Sequence, residues 1–187
     1  GLPHRRVYLT GSPMNEVLNY FSDKIESSSI LNTLSLKEHN YFVISLHREE
    51  NVDNQDNLIS IIKILNCLAE EYNTPIIFST HPRTKKNLSK LETDIKIDKR
   101  VNFHNPFGFF DYIKLQKNAK CVISDSGTIS EESAILKFPA ITLRNSMERP
   151  EALDAGSIIL TGFDIDVVMS SIKIMIEEFS VDSAPFS

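Results

Sequence analysis

From Tyr41 onward the chain alternates between short, mostly apolar runs and longer segments in which apolar residues recur every three or four positions. The runs are Tyr41–Leu46, Pro75–Thr80, Val101–Phe103, Cys121–Ser124, Pro139–Leu143 and Ser157–Thr161. The first, Tyr41–Leu46, is nearly continuously apolar, the signature of a parallel strand buried on both faces, and Pro75–Thr80 reads as a second buried strand. Between them, Asn57–Tyr72 places Leu58, Ile61, Ile62, Leu65, Leu68 and Ala69 on one helical face, with caps on offer from Asp53 to Asp56. Helical periodicity continues in Thr84–Leu91, Phe109–Asn118, Ile129–Leu136, Arg149–Ala155 and Asp164–Phe179. Strands separated by helices imply right-handed crossovers, so the expected fold is α/β: a Rossmann-like, doubly wound parallel sheet.

The first residues follow another rhythm. Arg6–Thr10 reads as a strand, Gly11-Ser12-Pro13 as a turn, and Met14–Ile25 as a helix with Met14, Val17, Leu18, Phe21 and Ile25 on one face. Polar residues from Glu26 to Ser29 loosen that helix, and Leu31–Leu36 reads as another short one. The organisation predicted is a lead-in over 1–36 and a main domain over 37–187.

Composition narrows the class. The 187 residues are 41% hydrophobic and 24% charged, within the range of ordinary globular domains. A net charge of -5 argues against a nucleic-acid partner, whose phosphates call for an excess of Lys and Arg. One anionic small ligand is still compatible, because a few cations or a helix N-terminus suffice for it. Cys67 and Cys121 lie in apolar runs without metal or disulfide spacing, and read as core residues of a protein kept reduced. No stretch approaches the ~20 apolar residues of a membrane span, and no apolar leader core opens the chain. A cytoplasmic setting without a membrane partner is expected.

Chemistry concentrates where the strands end. His47-Arg48-Glu49-Glu50, His81-Pro82-Arg83, Asp125-Ser126-Gly127-Thr128, and Arg144 with Glu148-Arg149 all follow apolar runs. In an open α/β sheet the ligand binds at those carboxyl ends. Ser126, Gly127 and Thr128 precede a helix, where small residues let backbone N–H groups approach a phosphate beside a favourable helix dipole. Glu131 and Glu132 on its first turns either complement that dipole or accept hydrogen bonds from the vicinal hydroxyls of a ribose. His47 reads as a proton shuttle, a phosphate ligand or a structural histidine. Arg48, Arg83 and Arg144 read singly as surface cations and jointly as an anion site. His4-Arg5-Arg6, His39 and His104 carry no comparable constellation, and no metal-ligand spacing emerges.

The dinucleotide, P-loop and nucleophile-elbow glycine patterns are all absent. Instead, Thr10-Gly11 before a helix, Ser45-Leu46-His47-Arg48-Glu49-Glu50-Asn51, Asp125-Ser126-Gly127 with Glu131-Glu132, and Arg144 followed by Glu148-Arg149-Pro150-Glu151-Ala152 form an ordered set. From about Val7 to Gly162 that set resembles the C-terminal half of the non-hydrolysing UDP-N-acetylglucosamine 2-epimerases.

The resemblance implies one domain of a GT-B-like two-domain enzyme, with substrate in the cleft between two Rossmann-like domains and no cofactor. It implies catalytic positions at His47 and Arg48. Substrate-binding positions fall at Ser126, Gly127, Thr128, Glu132, Arg144, Glu148, Arg149 and His81. The family reaction removes the C2 proton, eliminates UDP in the anti sense, and adds it back with the proton on the other face. Its acid/base carboxylates belong mainly to an N-terminal domain, so the partners implied are a UDP-sugar, that missing domain and a second copy of the whole enzyme.

Two residues depart from the family pattern. Thr128 stands where many members have a second glycine, and Glu49 where they have arginine. The His-Arg-Glu-Glu-Asn form is similar to relatives acting on other UDP-2-acetamido sugars, such as the talosamine-to-fucosamine epimerases of capsule or O-antigen synthesis. A GT-B glycosyltransferase donor domain and a non-catalytic nucleotide-sensing module are the competing expectations.

Overall fold

A computed structural model describes residues 11–91, 93–144 and 158–182. Six parallel strands form its sheet: β1 (Phe42–Ser45), β2 (Ile76–Ser79), β3 (Val101–His104), β4 (Cys121–Ser124), β5 (Ala140–Thr142) and β6 (Ile159–Leu160). Their order is β3-β2-β1-β4-β5-β6, the doubly wound arrangement expected. The register pairs Phe42 with both Ile76 and Cys121, so β1 lies at the centre and the strand order reverses between β1 and β4.

The inner strands β1, β2, β4 and β5 bury both faces, because successive side chains point to opposite sides, whereas the edge strands β3 and β6 are only partly covered. Phe42 and Ile44 of β1, Ile76 and Phe78 of β2, and Ile123 of β4 face one core with α5 (Gln55–Tyr72) and the last helix, α9 (Ile165–Asp182). Tyr41, Val43, Ile77 and Val122 face the other, against α3 (Ile30–Thr33), α7 (Phe109–Lys117) and α8 (Ile129–Leu136). The Tyr41 hydroxyl, buried in this second core, donates to the Leu115 carbonyl at 2.7 Å.

Helix α5 runs as its periodicity predicts, and its start shows why. The Asn54 side chain accepts from the N–H groups of Asp56 and Asn57 at 2.8 and 3.2 Å, while Asn73 closes the helix in a left-handed conformation at φ 49°. The predicted Met14–Ile25 helix is two: α1 (Met14–Tyr20) and α2 (Ser22–Glu26), parted at Phe21. Phe21 packs edge-on against Phe109 and lies beside Phe110, so tertiary contact with α7 overrides the continuous helical pattern. With Leu18 and Ile25, these residues seat the lead-in helices on α7 and α8.

Residues 49–52, read as loop, form a short helix, α4 (Glu49–Val52). The helix after β2 begins two residues earlier than its apolar pattern suggests, as α6 (Pro82–Lys90), with Pro82 at the favoured first position. The expected strand Arg6–Thr10 and helix Arg149–Ala155 lie outside the described residues.

Candidate functional site

The loops after β1 and β4 meet where the strand order reverses, and one carboxylate joins them. Asp125 follows β4 and has no solvent exposure. It accepts from the backbone N–H of His47 at 3.1 Å to each oxygen, from that of Arg48 at 2.9 Å, and from Asn51 Nδ2 at 2.9 Å. His47 Nδ1 lies 3.1 Å from Asp125 Oδ1. Burial alone would raise the Asp125 pKa, but the hydrogen bonds from His47, Arg48 and Asn51 reverse this and hold it below the usual carboxylate range.

The same pair acts on His47 in the other direction. Its hydrogen bond to Asp125 raises the imidazole pKa, against desolvation and the nearby Arg48 charge. With Nδ1 directed at Asp125, Nε2 is the nitrogen left to meet a ligand. Arg48 donates through Nε to the Asp125 carbonyl at 2.8 Å, and its guanidinium lies beside Gly127: a Cβ on that glycine would stand 4.0 Å from Arg48 Nη2. An imidazole and a guanidinium therefore flank the loop that leads into α8.

That loop is ordered by its own hydroxyls. The Ser126 N–H donates to Ser124 Oγ at 3.1 Å, Ser126 Oγ lies 3.0 Å from Thr128 Oγ1, and Thr128 Oγ1 donates to Glu132 Oε1 at 2.8 Å. The other oxygen, Glu132 Oε2, accepts from Gln116 Nε2 at 2.8 Å. Glu132 is buried, whereas its neighbour Glu131 turns away and accepts from Ser12 Oγ at 2.6 Å. Only one carboxylate of the pair thus belongs to the loop.

Other predicted positions sit around this centre with different surroundings. Arg144 follows β5 and is 4% exposed. His81 lies at the end of β2, exposed, and its Nδ1 caps α6 by accepting from the Arg83 N–H at 3.3 Å. Arg83 is engaged by two carboxylates: its Nε donates to Asp53 Oδ1 at 2.9 Å, and it also pairs with Glu49. Glu49, where the family pattern has a cation, is therefore the anionic partner of Arg83 at this edge. Glu148 and Arg149 lie outside the described residues.

Two residues at this edge, Gln116 and Tyr112, escaped the sequence reading, and for Asn51, named there only as part of a motif, the partner was missed. Asn51 is 2% exposed and bridges Asp125 to the Leu143 carbonyl at 3.1 Å, tying α4 to the ends of β4 and β5. Gln116 is fully buried beneath Glu132. Tyr112, one helical turn before it, has its hydroxyl pKa pushed up to about 12, mainly by burial and further by Glu132 and Asp125, against contacts with Ser45 and Gln116. A signal existed for Gln116, a polar residue on the face of α7 that carries Tyr112 and Ile113. For the partner of Asn51 there was none, since it lies 74 positions away. Among the described residues, no group of three His, Cys, Asp or Glu side chains could hold a metal ion.

The family described as UDP-N-acetylglucosamine 2-epimerase matches residues 1–186. A UDP-N-acetylglucosamine 2-epimerase from Methanocaldococcus jannaschii is 40% identical over 143 residues, covering 75% of this chain and 39% of that protein. The solved structure of a UDP-N-acetylglucosamine 2-epimerase from Rickettsia bellii superposes with a TM-score of 0.83 at 45% identity, over 94% of this chain and 46% of that one. A Methanocaldococcus jannaschii UDP-GlcNAc 2-epimerase, solved in complex with UDP-GlcNAc and UDP, gives 0.83 at 34% identity, over 94% and 49%. The chain thus spans less than half the length of these relatives.

Proposed function

The chain belongs to the UDP-N-acetylglucosamine 2-epimerase family, and on that premise we propose that it is the nucleotide-binding part of a UDP-2-acetamido-sugar 2-epimerase serving capsule or lipopolysaccharide precursor synthesis in the cytoplasm. One observation carries the reading. His47 and Arg48 after β1 hold Asp125 and stand beside Gly127, in the loop after β4 that runs through Ser126 and Thr128 to Glu132, at the reversal point where doubly wound sheets bind nucleotides. The complex of the Methanocaldococcus jannaschii relative with UDP-GlcNAc and UDP supports the ligand class.

In this reading a base on a second domain takes the C2 proton of the sugar as the C1–O bond to UDP breaks. UDP then adds back at C1 while a proton is delivered to the opposite face of C2. The diphosphate gains negative charge as it leaves, and a cationic His47 with Arg48 stabilises that charge. Ser126 and Gly127 receive the phosphates, Glu132 receives the ribose, and Thr128 stands between them in the same loop. Arg144, Glu148, Arg149 and His81 shape the rest of the cleft. A lead-in over 1–36, a nucleotide-binding domain over 37–187 and a homodimer of the longer enzyme complete the proposal.

Thermal unfolding with and without UDP tests the binding half of this reading. A rise in Tm that saturates with UDP is expected, and no shift at millimolar UDP would sink it. For the reaction, the chain joined to its second domain is incubated with UDP-sugars in deuterated water. Deuterium entering C2 supports epimerisation, whereas sugar transfer to an acceptor without C2 exchange would favour a glycosyltransferase.

A further inference from the structure

Thr128 is one of the residues at which the chain departs from the pattern it resembles, and its hydroxyl occupies a specific place. It donates to Glu132 Oε1 at 2.8 Å, while Gln116 donates to Oε2 at 2.8 Å from beneath. A carboxylate offers about four acceptor positions. Among the described residues these two donors take one on each oxygen, leaving one on each for a ligand. Two acceptors held side by side match the two hydroxyls of a ribose. A glycine at position 128 would leave Oε1 without its donor and the carboxylate held through Oε2 alone.

We propose that Thr128 is a positioning residue that sets ribose recognition: with Gln116 it locks the Glu132 carboxylate in the orientation that accepts the 2′ and 3′ hydroxyls together. The inference rests on the nucleotide-binding reading above and deepens it. Neither donor need touch the ligand. Gln116 is fully buried and Glu132 8% exposed, so the pair cannot be replaced by water without opening the α7–α8 contact. Thr128, by contrast, is exposed at the helix start and makes no capping bond there, so its hydroxyl can be removed without unpairing the helix.

The test is calorimetric titration of the 187-residue chain with UDP and with 2′-deoxy-UDP. A hydrogen bond to a charged group is worth enough for the wild type to prefer UDP by about tenfold. Thr128→Val keeps the shape and removes the donor. It is expected to cut that preference to about threefold or less. Thr128→Ser restores the preference. Thr128→Gly, a second hydroxyl-free variant tolerated at a helix start, loses it as Val does. A wild-type preference retained in both Val and Gly variants, or an equal loss of both nucleotides, overturns the inference alone. A wild-type chain that binds neither nucleotide overturns the nucleotide-binding reading and this one with it.

Discussion

Nδ1 of His47 and Oδ1 of Asp125 lie 3.1 Å apart, joining an imidazole 49% exposed to a carboxylate with no exposure at all. The buried member is anchored from three further directions, by the backbone of His47 and Arg48 and by Asn51. The exposed member is thereby fixed in position and tautomer without losing access to solvent. Two consequences of this pairing can be measured.

The His47 imidazole titrates above the ordinary value of about 6.5, because its hydrogen bond to Asp125 favours the charged form. A folded-state pKa above the unfolded one stabilises the protein fully below the unfolded value, and the contribution is lost as pH rises through the folded value. The His47 ring resonances are therefore expected to titrate with a midpoint above that of a free histidine, and lower in Asp125→Asn. A wild-type midpoint at or below the free value would remove the pair as a charge-holding device.

Asp125→Ala leaves the His47 and Arg48 N–H groups and Asn51 Nδ2 without their acceptor in a buried place. The expected loss is about 3–5 kcal/mol, read from the urea midpoint. Since the Asp125 pKa is depressed, its stabilising contribution is present above the unfolded carboxylate value and lost as pH falls through the folded one. The deficit of the variant should accordingly shrink in acid, and a constant deficit would mean that packing rather than charge is lost.

Gly127 has room for a methyl group, whose carbon would lie 4.0 Å from Arg48 Nη2. Gly127→Ala should therefore unfold within about 0.5 kcal/mol of wild type while its affinity for UDP falls about tenfold or more, because the added group stands where phosphate would approach. Thermal unfolding and UDP titration on one preparation separate the two effects. Unaltered UDP affinity would exclude Gly127 from the phosphate path.

Burial pushes the Cys121 thiol far above its ordinary range, so it should resist alkylation in the folded protein. Mass spectrometry after brief iodoacetamide treatment is expected to find Cys121 unmodified until denaturant is added. Modification at the rate of a free thiol would contradict the packing of β4 against both its neighbours.

The sheet was legible because burying both faces of a parallel strand demands apolar residues at every position, as in Tyr41–Leu46 and Cys121–Ser124. The polar strand ends were legible for the complementary reason, since such a sheet leaves few other places for them. What stayed hidden was pairing between distant segments. Asp125 read as part of a small-residue phosphate loop, and nothing near it in the chain identifies His47 and Asn51 as its donors. The four residues of α4 are too few for a helical period, and the break at Phe21 depends on aromatic partners in α7. Glu49 read as a lost cation, and only the folded chain shows that Arg83 engages it.

The reversal of strand order between β1 and β4 has a bearing on when the proposed nucleotide site forms during folding. The residues that meet there, His47 and Asp125, are 78 positions apart, so no local hairpin or helix can bring the two halves of the site together. Loop-closure entropy makes such distant pairings late and slow. Capture of a nucleotide should consequently be among the last properties to return on refolding, after most of the helical signal. A bound nucleotide would then pull a reluctant final step forward, acting on this chain as a folding effector.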